Sequence, residues 1–185
     1  GQVFDVNNKN NAEIIFAVHF NKEIVNEGHS YWYDITNLTD ESGQAEALVN
    51  CFTQGDTRKE MITYVKAENK AYLMTKFLDT KNVSFNQVGN DQILLRYADV
   101  LLMYAEALNE LGYDASEGSI ALKQLNATRT RAGLTKLTAA DVPTQESFRK
   151  AILDERQKEF PYEGHRWFDL VRMGYAKSVL AAQGL

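Results

Sequence analysis

The stretch Asn90-Asp-Gln-Ile-Leu-Leu-Arg-Tyr-Ala-Asp-Val-Leu-Leu-Met-Tyr-Ala-Glu-Ala-Leu-Asn-Glu110 decides the fold class. Asn90 and Asp91 are good N-cap residues, and the pattern that follows predicts a helix from Ile93 to Glu110. Residues 94, 97, 98, 101, 102, 105 and 108 fall on one apolar stripe. Leu95, Val100, Met103, Tyr104 and Ala107 fill most of the remaining surface, which leaves Arg96, Asp99, Glu106 and Glu110 as a narrow polar stripe. A helix that is apolar nearly all round belongs at the centre of a helical layer.

More helices follow. Gly112 ends the first one. Asp114 with Glu117 three residues on reads as a capping-box-like start for a second, reaching about Arg131, and Gly133 stops it. A third is expected from Thr144 to Glu159, ending before Pro161, and a fourth from Arg166 to Met173, with a further helical piece after Gly174. Short turns between them imply an antiparallel helical layer, and residues 93–131 have the size of one tetratricopeptide-like hairpin. Residues 1–90 read differently. Glu13 to Phe20 is a buried-strand pattern, Gln44 to Phe52 a short helix, and Met61–Lys66 and Ala71–Phe77 two short strands. Gly28–Thr39 and Lys81–Asp91 are loops. The chain thus divides into an irregular, loop-rich segment (1–90) and a helical scaffold segment (91–185).

Composition removes several function classes. Apolar residues at 44% and charged residues at 24% are those of a folded globular chain. Twenty basic against 25 acidic residues leave no basic excess for nucleic acid. Cys51 is the sole cysteine, so no intrachain disulfide forms. His19, His29 and His165 lie far apart in sequence, and neither a metal site nor a cofactor is expected. No apolar run reaches the length of a membrane span.

Three constellations carry candidate chemistry. Phe148 and Ile152 share a helix face that Glu155 and Glu159 continue, while Arg129 continues the apolar face of Leu122 and Leu125. Two carboxylates at the end of an apolar stripe suit an acid/base pair or buried acceptors for arginine. Seven of the eight arginines lie in 91–185, and structural ion pairs are expected. In Glu163-Gly-His-Arg-Trp-Phe-Asp169, Asp169 is expected to accept from an arginine, with Trp167 and Phe168 anchoring their helix. No nucleophile–base pattern accompanies either block, so no catalytic residue is assigned. The third is Tyr31-Trp-Tyr33 near His29, with Asn26, Asp34 and Asn37 around it. Flat rings among hydrogen-bonding groups suit sugar, whose apolar faces stack and whose hydroxyls need partners. Tyr31, Trp32, Tyr33 and His29 are the ligand-binding candidates. Neighbours in an extended segment face opposite ways, so Trp32 and the two tyrosines are not expected to share a surface.

Ile93-Leu-Leu-Arg-Tyr-Ala-Asp-Val-Leu-Leu-Met-Tyr-Ala-Glu-Ala-Leu-Asn109 resembles the signature helix of the SusD/RagB family. Leu125-Asn-Ala-Thr-Arg-Thr-Arg-Ala-Gly133 is similar to the family's N-x-x-R-x-R-A-G turn. Ile152-Leu-Asp-Glu-Arg-Gln-Lys-Glu-Phe160 with Glu163-Gly-His-Arg-Trp-Phe-Asp-Leu170 resembles its most recognisable block, and Asp56-Thr-Arg58 its D-x-R. The motifs come in the family's order. The resemblance implies a mainly α, SusD-like fold: a tetratricopeptide-like hairpin scaffold with irregular loops and a few short strands, of which this chain is the C-terminal part. It also implies a surface nutrient-binding protein of the outer membrane, one that takes up oligosaccharide with a TonB-dependent, SusC-like transporter and is not an enzyme. Membrane attachment would be only through an N-terminal lipid anchor absent from these residues. The family's block motifs are scaffold residues, and its ligand loops carry no fixed motif. A peptide or other nutrient binder of the same family and a tetratricopeptide-like protein-interaction module are the alternative readings.

Overall fold

The computed structural model describes residues 2–29, 44–66, 71–77, 79, 88–182 and 184. These hold four strands, β1 (Ile14–Val18), β2 (Ile62–Lys66), β3 (Ala71–Met74) and β4 (Gln92–Arg96), and six α-helices. The helices are α1 (Gln44–Cys51), α2 (Tyr97–Leu111), α3 (Ile120–Arg131), α4 (Gln145–Glu159), α5 (Arg166–Arg172) and α6 (Ala176–Ala182). The fold is mainly α. Two compact units divide at Tyr97/Ala98.

In the first unit, β1 pairs antiparallel with β4 and β2 antiparallel with β3. The long helix therefore does not begin at Ile93. Residues 92–96 are a strand whose Leu95 and Ile93 face Phe16 and Ala17 in register, and Tyr97 N then donates to Glu13 O (2.8 Å), closing the ladder where the helix starts. Ile-Leu-Leu is apolar in either geometry, and its strand partner lies some 80 residues upstream, beyond local reading. β1 also departs from expectation. Ile15, Phe16 and Val18 are exposed, because irregularities on both sides of Phe16 break the two-residue alternation. Ala71–Phe77 splits into β3 and a 3-10 turn at Thr75–Phe77. Phe4 meets Phe77 edge-on at 4.9 Å, and the buried Lys76 ammonium lies 4.8 Å above the Phe4 ring.

The second unit is built on one core. Ala98, Leu102 and Ala105 of α2 meet Ala121, Leu122 and Leu125 of α3, Val142, Phe148 and Ile152 of α4, and Phe160. Leu102, Leu125 and Ile152 are wholly buried, each contributing roughly 1.5–3 kcal/mol. The cap of α3 is Ser119, whose hydroxyl accepts from Leu122 N (3.1 Å). Asp114 instead accepts from Ser116 N in an Asx turn, and Glu117 from Ala139 N. α4 opens on a reciprocal capping box between Thr144 and Ser147. Gly133 at φ 79° closes α3, with Leu134 N bonded to Arg129 O and Gly133 N to Thr130 O. That pair of bonds is a Schellman motif, and Gly174 repeats it after α5. Among the described residues no helix is long and apolar enough to cross a membrane.

Candidate functional site

Tyr31, Trp32 and Tyr33 lie outside the described residues. His29 lies within them, at the root of that stretch. Its backbone forms a two-way bridge with Val88, His29 N to Val88 O at 3.2 Å and Val88 N to His29 O at 3.1 Å. Its ring packs on Phe20 at 4.3 Å. Nε2 lies 2.9 Å from Asn90 O. A carbonyl only accepts, so Nε2 carries the proton and donates. Burial is the largest influence on the ring and holds its pKa below 6.5, against the opposing bond to Asn90. His29 is therefore neutral at pH 7 and is held at both its backbone and its ring.

The partner segment Val88–Asp91 is itself tied down. Asp91, read from sequence as a helix cap, gathers three donors: Lys9 Nζ at 2.7 Å, Phe20 N at 3.1 Å and His19 Nδ1 at 2.6 Å. Lys9 also reaches the carbonyls of Phe20 and Gly89. Lys22 pairs with the buried Asp79 at 2.6 Å. Beside these groups is a recess of about 200 Å³ lined by Asn7, Asn21, Glu23 and Gly89 together with both lysines. Lysine–aspartate pairs thus brace the strip of chain that carries the root of the aromatic stretch.

The second unit carries the carboxylates. Glu155 and Glu159 are buried. Arg129 Nη1 approaches Glu155 at 3.5 Å, and Arg131 pairs with Glu159, so one arginine does not serve both. Asp169, buried at 1% exposure, is held by Arg156 Nε at 2.8 Å and Arg172 Nη2 at 3.0 Å. Arg156 is the residue that sequence reasoning passed over. It is 3% exposed, bonds Asp99 at 2.6 Å, pairs in charge with Asp169, and lies over the Phe160 ring at 4.9 Å. Arg172 grips Glu106 with two 2.8 Å bonds, and Arg149 does the same to Glu110. Bidentate carboxylate contacts raise the pKa of both arginines and lower that of Glu110. The available signal was the spacing of Asp99, Glu106 and Glu110, which places them within about 40° on one helix side. That narrow stripe pairs with arginines along its length, from the buried Asp99 to the exposed Glu110.

Trp167 and Phe168 do not anchor α5: they are 54% and 68% exposed. The arginine grip turns Asp169 and Leu170 inward, and helical spacing then sends residues 167 and 168 outward. An open cleft of about 690 Å³ beside α3 is lined by Leu122, Asn126 and Thr130 with Lys123 and Lys136, and no aromatic ring lines it for stacking. Among the described residues no group of three or more His, Cys, Asp or Glu side chains is placed to hold a metal ion.

A helical hairpin scaffold whose motif carboxylates face arginine defines a fold of the SusD type. The SusD family profile matches residues 52–184, and the chain belongs to that family. SusD-like protein P2 of Formosa agariphila is 37% identical over 102 residues, covering 52% of this chain and 20% of that protein. SusD-like protein P25 of the same organism is 38% identical over 107 residues, covering 56% and 19%. A SusD superfamily protein from Bacteroides vulgatus superposes with a TM-score of 0.66 at 27% identity, over 93% of this chain and 38% of that one. Surface glycan-binding protein A from Bacteroides thetaiotaomicron, in complex with laminarihexaose, gives a TM-score of 0.72 at 20% identity, over 96% and 46%; that likeness is one of fold. The chain spans about a fifth of the curated relatives and less than half of these solved chains.

Proposed function

We propose that these residues are part of a cell-surface glycan-binding protein, held at the outer membrane by an N-terminal lipid anchor, which passes oligosaccharide to a TonB-dependent, SusC-like transporter without cleaving it. Membership of the SusD family carries the reading. A solved protein of the same fold holding laminarihexaose supports a glycan as the ligand class. The state of the motif carboxylates supports binding over hydrolysis. Glu155, Glu159 and Asp169 each face arginine, and a carboxylate held in a buried ion pair is a poor proton donor or nucleophile.

Trp32, flanked by Tyr31 and Tyr33, is the proposed sugar-stacking residue in this part of the protein, with His29 as the post that sets the stretch. Calorimetry of the polypeptide as its gene encodes it, against a panel of oligosaccharides, tests the reading. A bound glycan whose affinity falls by roughly 1–3 kcal/mol in Trp32→Ala, by analogy with base–aromatic stacking, with an unchanged melting point, is the expected result. Binding to no glycan of a broad array, or release of reducing ends that Glu155→Gln abolishes, would overturn it.

A further inference from the structure

The recess beside Lys9 and Lys22 holds about 200 Å³, less than the roughly 300–1,000 Å³ of sites for drug-sized ligands and suited to a single sugar ring. Its lysines are already engaged. Lys9 directs its three ammonium N–H groups to Phe20 O, Gly89 O and Asp91 Oδ1. Lys22 gives two to the Asp79 carboxylate, at 2.8 and 2.6 Å, and has a third left over among the described residues. Asn21 accepts from Glu23 N through Oδ1, which leaves its Nδ2 donor uncommitted. Asn7 donates to Asp5 through Nδ2, which leaves its Oδ1 acceptor uncommitted. The exposed Glu23 carboxylate has no partner among the described residues. A Cβ at Gly89 would stand 3.2 Å from Lys22 Cγ, inside ordinary van der Waals contact, so the Lys22 stem lies where it does because residue 89 has no side chain.

We propose that this recess is a subsite for one neutral sugar unit, a role that rests on glycan binding by the whole protein. A sugar hydroxyl both donates and accepts, and the uncommitted groups are of both kinds: donors on Lys22 and Asn21, acceptors on Asn7 and Glu23. A phosphate or sulfate finds no uncompensated cation, since Lys9 is paired with Asp91 and Lys22 with Asp79. Glu23 adds an unpaired negative charge, which repels the carboxylate of a uronate. The walls are set in advance. Lys9 bonds Asp91 across 82 positions of sequence, and the Asn21 N to Glu27 O bond closes the turn that carries Glu23. Groups held this way lose little freedom when a ligand enters.

The test is calorimetry of the polypeptide as its gene encodes it. The probes are gluco-, manno-, xylo- and galacto-oligosaccharides as ladders of increasing length, with oligogalacturonates of the same lengths. A neutral ladder is expected to bind better than the uronate one. Glu23→Ala is expected to weaken its longer members by about 10-fold, the worth of one hydrogen bond to a charged group, while its shortest members and the melting point stay unchanged. Gly89→Ala, which displaces the Lys22 stem, is expected to act in the same direction. Glu23→Gln keeps an acceptor of the same size and is expected to retain most of the affinity while losing discrimination against the uronate. A neutral ladder bound equally by the wild type, Glu23→Ala and Gly89→Ala at every length would overturn the subsite and leave glycan binding standing. Preference for the uronate ladder would overturn it as well. Binding of no ladder would overturn it together with the glycan reading.

Discussion

Arg156 is the residue on which the helical unit should depend most. Its guanidinium bonds Asp99 of α2 through Nη1 and forms an ion pair with Asp169 of α5, Nε lying 2.8 Å from the carboxylate. All three side chains are buried at 7% exposure or less. In Arg156→Leu, Asp169 keeps Arg172, but Asp99 loses the cation it faces. Removing one partner of a buried pair costs about 3–5 kcal/mol, because the remaining charge is desolvated and uncompensated. For a chain of this length that is a fall of about 6–20 °C in Tm. The assay is urea unfolding of the complete polypeptide with the m-value monitored, so that a changed midpoint at constant m reports stability alone. Arg156→Lys should also be destabilising, since one ammonium does not reproduce a planar fork shared by two carboxylates. The decisive variant is the double mutant Arg156→Leu/Asp99→Leu. With the stranded charge gone, it should be more stable than Arg156→Leu alone, a strongly non-additive result. A loss below about 1 kcal/mol for Arg156→Leu, or a double mutant as poor as the sum of the singles, would show that the buried pair does not govern this unit.

Other outcomes are as specific. His29 has a folded pKa below its unfolded 6.5, so the unfolded chain binds more protons in the interval between the two values. Stability contributed by His29 is therefore complete above pH 6.5 and declines as pH falls from there toward the folded pKa. His29→Gln should flatten the melting-point profile in that window, and an unchanged slope would contradict the buried neutral ring. Gly133→Ala places a Cβ on a residue at φ 79° and should cost about 1–2 kcal/mol in chemical unfolding, whereas Gly112→Ala, in open space, should cost less. Burial, followed by the bond that Tyr175 donates to Glu146, pushes the tyrosine's pKa up to about 12. Ultraviolet titration of Tyr175→Phe should accordingly lose a tyrosine that ionises near pH 12.

The helical half was largely legible in the sequence because its signals are local. Gly133 after Arg131, Pro161 after Glu159, and the apolar spacing of Phe148 and Ile152 each act within a few residues, and each operates as read. Misreadings arose where a distant partner overrides a local preference. Asn90-Asp91 is a sound cap in isolation, yet Asp91 is held by Lys9, His19 and Phe20. Ile93-Leu-Leu-Arg96 is a sound helix start, yet β1 recruits it as a strand. The ion pairs were legible by type but not by pairing. Arg129 stood out by its face, whereas Arg156, on the same helix as the glutamates, joins acids from two other elements that no spacing rule connects to it. The proposed ligand residues left the weakest trace, because three rings among polar neighbours have no period to fix where they point.

The same division explains why the family is easier to read than its ligand. The recognisable blocks are those in which a residue type is dictated by burial: an arginine between two aspartates, a glycine at positive φ, a leucine with no solvent contact. Substitution there costs several kcal/mol whatever the protein binds. Such positions report the scaffold. In the reading we propose, a residue that stacks on a sugar is constrained chiefly by that sugar, and it follows in sequence the bridge between His29 and Val88. A change of ligand can then exchange Tyr31, Trp32 and Tyr33 while leaving Arg156 and its partners untouched. Grafting residues 30–37 of a SusD-type relative that binds a different glycan into this protein should change which oligosaccharide is bound, with Tm moving by no more than about 4 °C, the effect of roughly 1 kcal/mol. A graft that keeps the original preference while the fold is intact would place recognition elsewhere and refute the assignment of Trp32.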